Sequence, residues 1–466
     1  MRLKEDKHML KQFIGDKKFY KTLIAVALPL VLQQLITSSV QLVDNVMVGR
    51  LGEQAISSVA IVNQLYFVVI LITFGALGGA GIFTAQYFGS KDFDKLKQTF
   101  RFKIIVGMMI ASASFIIFSF FGEPLIRLFT QNDATVEDAL KYLSIAKWSA
   151  FPWILSVSIA NTFREIGITK PLLWISIVAI LTNTVLNFIL IFGYLGFPAL
   201  GVFGAAIATL MSRVLEVSLT IVLLMVRGTI FKTSLKSLFV IDRKLLINVI
   251  IMALPLTFNE ALWSSGQTAL FQAYSSRGDT ALAAMTITNV VSQIVFVTFG
   301  GIATAVAVLV GNTLGRNELE LAKENAKKLL FAAVIVAMIA GFILFILSFF
   351  ITNLYNAEEA TKEIARFNLR VNALFIPFYS FNVALYFTLR SGGDTLSTIM
   401  IDSGYMWVVT VPIAMILANF TSLAVTLMFL IVQSLDIPKM LFGLWRYKKE
   451  YWVKNLAKEP ELETSM

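Results

Sequence analysis

Long apolar segments separated by short polar turns dominate the hydropathy pattern of the chain. A helix needs about 20 predominantly apolar residues to cross the hydrocarbon core of a bilayer. Twelve segments reach that length, with approximate cores at residues 22–46, 57–83, 103–121, 139–163, 171–195, 202–226, 246–274, 281–310, 329–351, 367–389, 396–418 and 422–445. The longest connection, about 227–245, is too short for an aqueous domain. The pattern predicts an all-α integral membrane protein with twelve transmembrane helices.

The sequence also repeats itself at an offset close to 226 residues. Matching stretches are Ala27-Leu28-Pro29-Leu30 with Ala253-Leu254-Pro255-Leu256, Ser38-Ser39-x-Gln41 with Ser264-Ser265-x-Gln267, and Arg164-x-x-Gly167-x-Thr169 with Arg390-x-x-Gly393-x-Thr395. Each repeat holds six spans, an even number, so both insert with the same topology and form a parallel internal repeat. We therefore expect two pseudo-symmetric six-helix bundles with a site between them near mid-membrane. Their predicted bounds are an N-lobe at 1–226, a cytoplasmic linker at 227–245, a C-lobe at 246–446 and a polar tail at 447–466.

Composition agrees with a membrane solvent and excludes several kinds of chemistry. The chain is 57% hydrophobic and 15% charged, and its mean hydropathy is +0.77. It has no cysteine, which excludes disulfides and thiolate metal sites, and its one histidine, His8, lies in the charged N-terminal stretch. The net charge of +10 could indicate a nucleic-acid partner, but in so apolar a chain it favours loops facing anionic lipid. We expect a lipid bilayer as partner, and no nucleic acid.

The distribution of lysine and arginine predicts the orientation. With the N-terminus in the cytoplasm, cytoplasmic segments hold 30 of the 39 positive residues, external segments hold 8, and Arg213 lies inside a span. Positive charge is enriched on the cytoplasmic side of membrane proteins. We therefore expect a multi-pass protein of the cell (inner) membrane with both termini in the cytoplasm.

A polar stripe on the first apolar segment is the first candidate site. Gln33, Thr37, Gln41 and Asp44 are spaced by 4, 4 and 3 residues and so share one face of a helix. A carboxylate at the centre of a spanning helix costs about 2.5–3.5 kcal/mol, so such acids tend to face a cavity and mark an ion or substrate path. The alternative is that Asp44, 22 residues after Thr22, only ends the helix at the outer headgroups.

Several motifs together resemble the multidrug and toxic compound extrusion (MATE) family. They are the paired Ala-Leu-Pro-Leu segments, VDNVMVGRLG at 43–52, FREIGITKPLLW at 163–174, LTNTVLNFILIFG at 181–193, GFPALGVFGAAIATLMSR at 196–213 and LRSGGDT at 389–395. The resemblance runs from about Lys18 to Tyr447. It implies a secondary active antiporter, not an enzyme, that exports organic, often cationic, drugs or toxic compounds by alternating access. Na⁺ or H⁺ would be the coupling ion, with no cofactor, and we expect a monomer.

The resemblance also implies a cation-coupling site in the N-lobe, formed by Asp44, Asn183, Asn187 and Thr209. A carboxylate, two amides and a hydroxyl are oxygen ligands that suit a hard cation, so Asp44, Asn183 and Asn187 could bind Na⁺. Burial could instead make Asp44 carry a proton at neutral pH. A third possibility is that the two asparagines, four residues apart, only hold helices together by hydrogen bonds.

Glu260 is the second acid that the resemblance singles out, about 15 residues into the seventh span and on one face with Ser264 and Gln267. It could bind a cationic substrate or the coupling ion, or it could stay protonated and hydrogen-bonded to neighbours. Sodium-coupled members of the family have an aspartate on the tenth helix where this chain has Tyr379, so a C-lobe cation site is in doubt. The predicted substrate-binding or second acidic set is Glu260, Gln41, Gln267, Tyr379, Gln33 and Thr37.

Other charges inside or near the spans have simpler interpretations. Arg213 and Glu216, three residues apart, are predicted to pair with each other. The predicted loop-side pairs are Asp394 with Arg390 and Glu165 with Arg164. Asp402 could touch the cavity or belong to the cytoplasmic end of its span. The tail after Trp452 is predicted to be disordered.

Three other classes of protein fit the sequence less well. A receptor or purely structural membrane protein would not need two lobes each with a buried acid. A lipid-linked oligosaccharide flippase of the same superfamily needs a basic cavity for a pyrophosphate, and Arg213 is the cation expected inside the spans. A membrane-embedded enzyme needs a nucleophile, a base or metal ligands, and the chain has no HExxH motif and no histidine in its spans.

Overall fold

The computed structural model describes residues 13–231, 237, 239–355 and 357–458, so His8 lies outside the described residues. These residues are helical, without strands, which confirms the predicted fold class. The long helices are α1 (Lys17–Gly49), α2 (Glu53–Ser90), α3 (Phe93–Arg127), α4 (Asp133–Glu165), α5 (Lys170–Phe192), α6 (Gly201–Arg227), α7 (Arg243–Ser275), α8 (Asp279–Val306), α9 (Leu319–Leu347), α10 (Glu359–Ser391), α11 (Thr395–Phe420) and α12 (Val425–Lys448).

Eleven helices of the described part are long and apolar enough to cross a membrane. The remaining helix, α8, continues through a π-helical turn at Ala307–Gly311 and a short helix to Gly315. It coincides with the eighth predicted span, 281–310. Each predicted span therefore has its helix, with ends that differ by up to ten residues.

The chain divides into two compact units. The N-unit comprises Leu32–Thr84 and Asp92–Thr257, and the C-unit comprises the described residues up to Val31, Ala85–Lys91 and those from Phe258 onward. The division cuts α1 and α7 two residues after Pro29 and Pro255, which are equivalent positions of the repeat. The predicted lobe bounds, which keep each of these helices whole, remain a prediction.

In the N-unit, local signals in the sequence begin and end the helices. Asp92 caps α3 by accepting from the Lys95 backbone N–H at 3.0 Å, and Asn132 caps α4 through Ala134 and Thr135. Such caps satisfy backbone donors that a helix leaves free. Helix α5 ends at Gly193, whose φ of 77° is the left-handed conformation that glycine adopts at least cost.

In the C-unit, the first half of α1 contributes Phe19 to the hydrophobic core together with residues of α8 to α10. Helices α9 and α10 approach closely at Gly341, where a Cβ would meet the Ala373 carbonyl. Small residues permit such close helix packing in a membrane, where the hydrophobic effect does not drive helices together.

The segment after α12 folds back onto the C-unit. Trp452 is 1% exposed and stacks on Tyr447. The Leu456 backbone N–H donates to Gln86 Oε1 at 2.6 Å, and Gln86 Nε2 donates to the Ser391 carbonyl at 2.9 Å. The prediction of disorder after Trp452 is therefore wrong for residues as far as 458.

Hydrogen bonds inside the two units follow the internal repeat. In the N-unit, Gln33 Nε2 donates to Ser176 Oγ at 2.6 Å. In the C-unit, Asn259 Nδ2 donates to Asp402 Oδ2 at 3.0 Å. Both partners of the second bond lie 226 positions after those of the first. The repeat thus specifies the same helix pairing in each half, α1 with α5 and α7 with α11.

Candidate functional site

The N-unit brings Asp44 together with the two asparagines of α5. Asn187 Nδ2 donates to Asp44 Oδ1 at 3.0 Å and lies 3.3 Å from Asn183 Oδ1. Helix α6 packs closely on α5 at Gly204, where a Cβ would collide with the Leu190 carbonyl. Asp44, Asn183 and Asn187 therefore form one polar cluster, which we call the Asp44 cluster.

The Asp44 cluster contains an unsatisfied acceptor. Asn187 is 3% exposed, and its Oδ1 has no hydrogen-bond partner among the described residues. A buried polar atom without a partner is costly, and such atoms are rare in native structures. Next to an acid and a second amide oxygen, this atom is suited to contact a cation.

The hydroxyl of Thr209 does not join the Asp44 cluster directly. It donates to the Ala205 carbonyl of its own helix at 3.0 Å and hydrogen-bonds Tyr142; within the described residues no bond links it to Asp44. Arg213 pairs with Glu216 at 2.7 Å, which confirms the predicted ion pair.

The polar stripe on α1 splits between two places. Gln33 bonds Ser176 on α5 and accepts from Arg164 Nη2 at 3.4 Å, so it belongs to a separate cluster. Thr37 Oγ1 donates to the Gln33 carbonyl at 2.8 Å, within its own helix. The side chain of Gln41 lies outside the described residues. Although Gln33 and Thr37 share a helix face with Asp44, the hydrogen bonds of their side chains go to other partners.

The acids of the two predicted loop-side pairs bind other cations. Asp394 accepts two bonds from Arg446, at 3.0 and 3.2 Å. Glu165 forms an ion pair with Lys103, which is 0% exposed. Both of these cations come from other helices, and Glu165 also interacts electrostatically with its predicted partner Arg164.

The C-unit contains a cavity of about 160 Å³. Residues from α7, α10, α11 and α12 line it, namely Glu260, Trp263, Tyr379, Asn382, Val383, Tyr386, Asp402 and Lys439. Glu260 and Tyr379 are thus brought together as predicted, while Gln267 is exposed and outside this lining. Tyr379 packs on the rings of Phe296 and Phe299, both 5.2 Å away.

Asp402 and Lys439 form a buried ion pair at the wall of this cavity. They are 6% and 8% exposed, and Lys439 Nζ lies 3.3 Å from Asp402 Oδ1. Asn259 donates to the other carboxylate oxygen at 3.0 Å and accepts from Ser403 Oγ at 2.8 Å. Asp402 sits in a π-helical turn, Met400–Gly404, and such turns often re-aim side chains at functional sites. Of the two interpretations of Asp402, contact with the cavity is the one the structure supports.

One carboxylate of the cavity remains for a ligand, because no described residue forms a hydrogen bond to Glu260, which interacts electrostatically with Arg390. Asn382 Oδ1 is buried without a partner in the described part of the chain and has no accessible surface, and its Nδ2 donates to the Asp436 carbonyl at 3.1 Å. With Trp263, Tyr379 and Tyr386, the carboxylate of Glu260 suits a group that is both cationic and apolar.

Lys439, Asn382 and Tyr386 are residues of this site that the sequence analysis does not single out. The charge count places Lys439 in the cytoplasmic C-terminal segment, and the sequence alone indicates Arg213 as the cation inside the spans. Both interpretations need correction, since Lys439 and Lys103 are buried in helices. The signal was present, because Lys439 falls within the predicted span 422–445 and lies 226 positions after Arg213.

Comparison with protein families gives one clear match. Residues 29–189 and 255–416 match the MatE family model. These two ranges cover more than half of the chain and coincide with the two copies of the internal repeat.

Relatives of known name align over most of the chain. It is 26% identical over 414 residues to "Probable multidrug resistance protein YoeA" of Bacillus subtilis (strain 168), covering 87% of this chain and 88% of that protein. It is 28% identical over 419 residues to "Probable multidrug resistance protein NorM" of Bradyrhizobium diazoefficiens, with 87% and 88% covered. Its fold matches a structure described as the outward-facing conformation of a multidrug resistance MATE family transporter, with a TM-score of 0.84, 20% identity and 94% and 98% of the chains covered.

Proposed function

Because the chain belongs to the MatE family, a family of multidrug efflux transporters of the membrane, we propose that it exports organic, often cationic, compounds by alternating access. Entry of Na⁺ or H⁺ would supply the energy. The related proteins named multidrug resistance proteins support the substrate class, and the matched solved structure is described as a transporter.

The observation that carries the coupling proposal is the Asp44 cluster. Asp44 holds a hydrogen bond from Asn187, while the buried Oδ1 of Asn187 has no partner within the described residues. A cation bound at Asp44 could draw this oxygen and Asn183 Oδ1 into contact, because carboxylate and amide oxygens are ligands of hard cations. A proton on Asp44 would need only one acceptor. The cluster therefore supports Na⁺ more directly than H⁺.

We place the substrate's charged group in the C-unit cavity at Glu260. Its carboxylate supplies the charge, and Trp263, Tyr379 and Tyr386 supply the aromatic faces that attract an organic cation. The volume of about 160 Å³ holds a small cationic group rather than a whole drug molecule. Gln33, Thr37, Gln41 and Gln267 remain candidates for contacts with the rest of the substrate.

Helices α1 and α7, which contain Pro29 and Pro255, would couple cation binding to substrate binding. Pro29 and Pro255 each remove a backbone hydrogen bond, which lets a helix bend. Asp44 lies on the part of α1 that belongs to the N-unit, beyond Pro29. If cation binding at Asp44 favours one bend of α1 and substrate favours the other, the difference in affinity between the two states is the coupling free energy.

Reconstituted transport tests this proposal. The protein is placed in proteoliposomes, and the movement of a fluorescent cationic dye is followed with a Na⁺ gradient or a pH gradient imposed alone. We expect the Na⁺ gradient to drive dye movement and Asp44→Asn to abolish that dependence. Asp133→Asn is the matched control, because it makes the same change at an exposed acid at the start of α4.

Each result has a defined meaning. Dye movement driven only by the pH gradient, and lost in Asp44→Asn, would assign the coupling to H⁺. Gradient-driven movement that is unchanged in Asp44→Asn would reject Asp44 as the coupling site. No dye movement under either gradient, with correctly folded protein, would reject the antiport proposal.

We further propose that the protein acts as a monomer in the cell (inner) membrane, with both termini in the cytoplasm. The excess of lysine and arginine in the segments assigned to that side supports the orientation. Labelling of single cysteines introduced at positions 18 and 449 with a membrane-impermeant reagent tests it, since the natural chain has no cysteine.

A further inference from the structure

The C-unit cavity has an uneven balance of charge. Its lining includes two carboxylates, on Glu260 and Asp402, and one ammonium group, on Lys439. The ammonium lies 3.3 Å from Asp402. With all three groups ionised, the lining carries one net negative charge, and that charge is on Glu260.

Both oxygens of the Asp402 carboxylate are already in use. Lys439 contacts one of them, and Asn259 donates to the other. The carbonyl of Asn259 in turn accepts from Ser403. A buried ion pair is costly to break, because removing one partner leaves an uncompensated charge.

Two charged groups act on the cavity from outside its lining, and they have opposite signs. Arg390 interacts electrostatically with Glu260, and Asp436 interacts with Lys439. The positive charge of Arg390 and the negative charge of Asp436 cancel, so the lining and these two groups together also carry one net negative charge.

The net charge of the lining determines which charge a ligand can carry. A group with one positive charge neutralises the carboxylate of Glu260. A dication would leave one positive charge buried without a partner, which is strongly unfavourable away from water.

We propose that Lys439 determines the charge specificity of the C-unit cavity. As a built-in counter-ion of Asp402, it leaves Glu260 as the carboxylate of the lining that has no counter-ion within the lining, so the cavity accepts an ammonium group with one charge and discriminates against dications. The inference rests on the proposed function, in which this cavity receives the cationic group of the substrate.

The test compares two amines of the same length. The full-length protein in lipid nanodiscs binds a fluorescent monocation, ethidium, and propylammonium or propane-1,3-diammonium displaces it. The measured quantity is the ratio of the two inhibition constants. We expect the wild-type protein to bind the monoammonium more tightly.

Three variants change the net charge of the lining by known amounts. Lys439→Met leaves two negative charges and is expected to shift the ratio about hundredfold toward the diammonium, which is about 2.8 kcal/mol at 1.4 kcal/mol per tenfold. Asp402→Asn leaves no net charge and should weaken displacement by both amines. The double variant, Asp402→Asn with Lys439→Met, restores one negative charge and should return the ratio to the wild-type value. Arg213→Met is the matched control, because Arg213 is the repeat equivalent of Lys439 and pairs with Glu216 in the N-unit.

The outcomes separate this inference from the function on which it rests. A wild-type ratio in Lys439→Met, or a double variant that differs from the wild type, would overturn the role of Lys439. If Lys439→Met does not fold, the inhibition constants of the two amines measured with Asp402→Asn and with the double variant test the role of Lys439. Inhibition constants that are unchanged in Glu260→Gln would reject the cavity as a substrate site and this inference with it. A site that depends on Glu260 but ignores Lys439 would reject the inference alone.

Discussion

The ion pair between Lys103 and Glu165 is buried, and its burial determines how much stability its loss should cost. Lys103 on α3 has no exposed surface, and the side chain of Glu165 on α4 is mostly covered. Gly81 on α2 makes room for this carboxylate, since a Cβ there would collide with it. The substitution Lys103→Met keeps the apolar stem of the side chain and removes only its charge.

The expected cost is large because the acid would stay buried. Removing one partner of a buried ion pair destabilises a protein by about 3–5 kcal/mol, whereas replacing both partners with neutral groups is often close to neutral. We therefore expect Lys103→Met to lower the free energy of unfolding by about 3–5 kcal/mol. The double variant with Glu165→Gln should recover most of that loss.

The measurement is the free energy of unfolding in mixed micelles, titrated with a denaturing detergent and followed by tryptophan fluorescence. Lys97→Met is the control, because Lys97 pairs with Asp94 at 3.4 Å on the exposed start of the same helix. Exposed pairs contribute about 0–1 kcal/mol. A cost below about 1 kcal/mol for Lys103→Met, or a double variant no more stable than the single one, would refute the reasoning.

Two further predictions concern the Asp44 cluster and the end of the chain. Asn187→Leu keeps the number and branching of the side-chain heavy atoms but removes the donor to Asp44 and the unpartnered oxygen. A hydrogen bond to a charged group contributes about 1.5–3 kcal/mol, so the Na⁺ concentration for half-maximal transport should rise at least tenfold. A purely structural asparagine would instead lower the melting temperature and leave the Na⁺ dependence unchanged. Trp452→Ala, which empties a buried site stacked on Tyr447, should cost about 3–5 kcal/mol of unfolding free energy, and a loss below 1 kcal/mol would show that the segment does not help to stabilise the fold.

Much of the architecture was predictable because hydrophobicity and repetition act over long stretches. A run of about 20 apolar residues has few alternatives to a spanning helix, since every backbone polar group must be bonded within the membrane. The repeat then predicted equivalent helix pairing, as the bonds of Gln33 to Ser176 and Asn259 to Asp402 show. The proximity of Asp44, Asn183 and Asn187 was predicted through the family resemblance, and their role in coupling remains a prediction.

The composition of the C-unit cavity was harder to predict because it depends on contacts between distant segments. Periodicity places Asp402 and Lys439 on their own helices but does not indicate that they meet. A π-helical turn shifts the face on which Asp402 lies, and a regular helical wheel cannot represent that shift. The same limit explains Thr209 and Gln33, which share a face or a motif with predicted partners but bond elsewhere.

The way the last described residues pack has a consequence for biosynthesis. The backbone of Leu456 completes the hydrogen bonding of Gln86, a side chain made more than three hundred residues earlier. A ribosome translating this messenger therefore releases the end of α2 long before its partner exists. The C-unit can be completed only after Leu456 has left the ribosome, so a stop codon before Trp452 would leave a chain with the described spans and an unfinished fold.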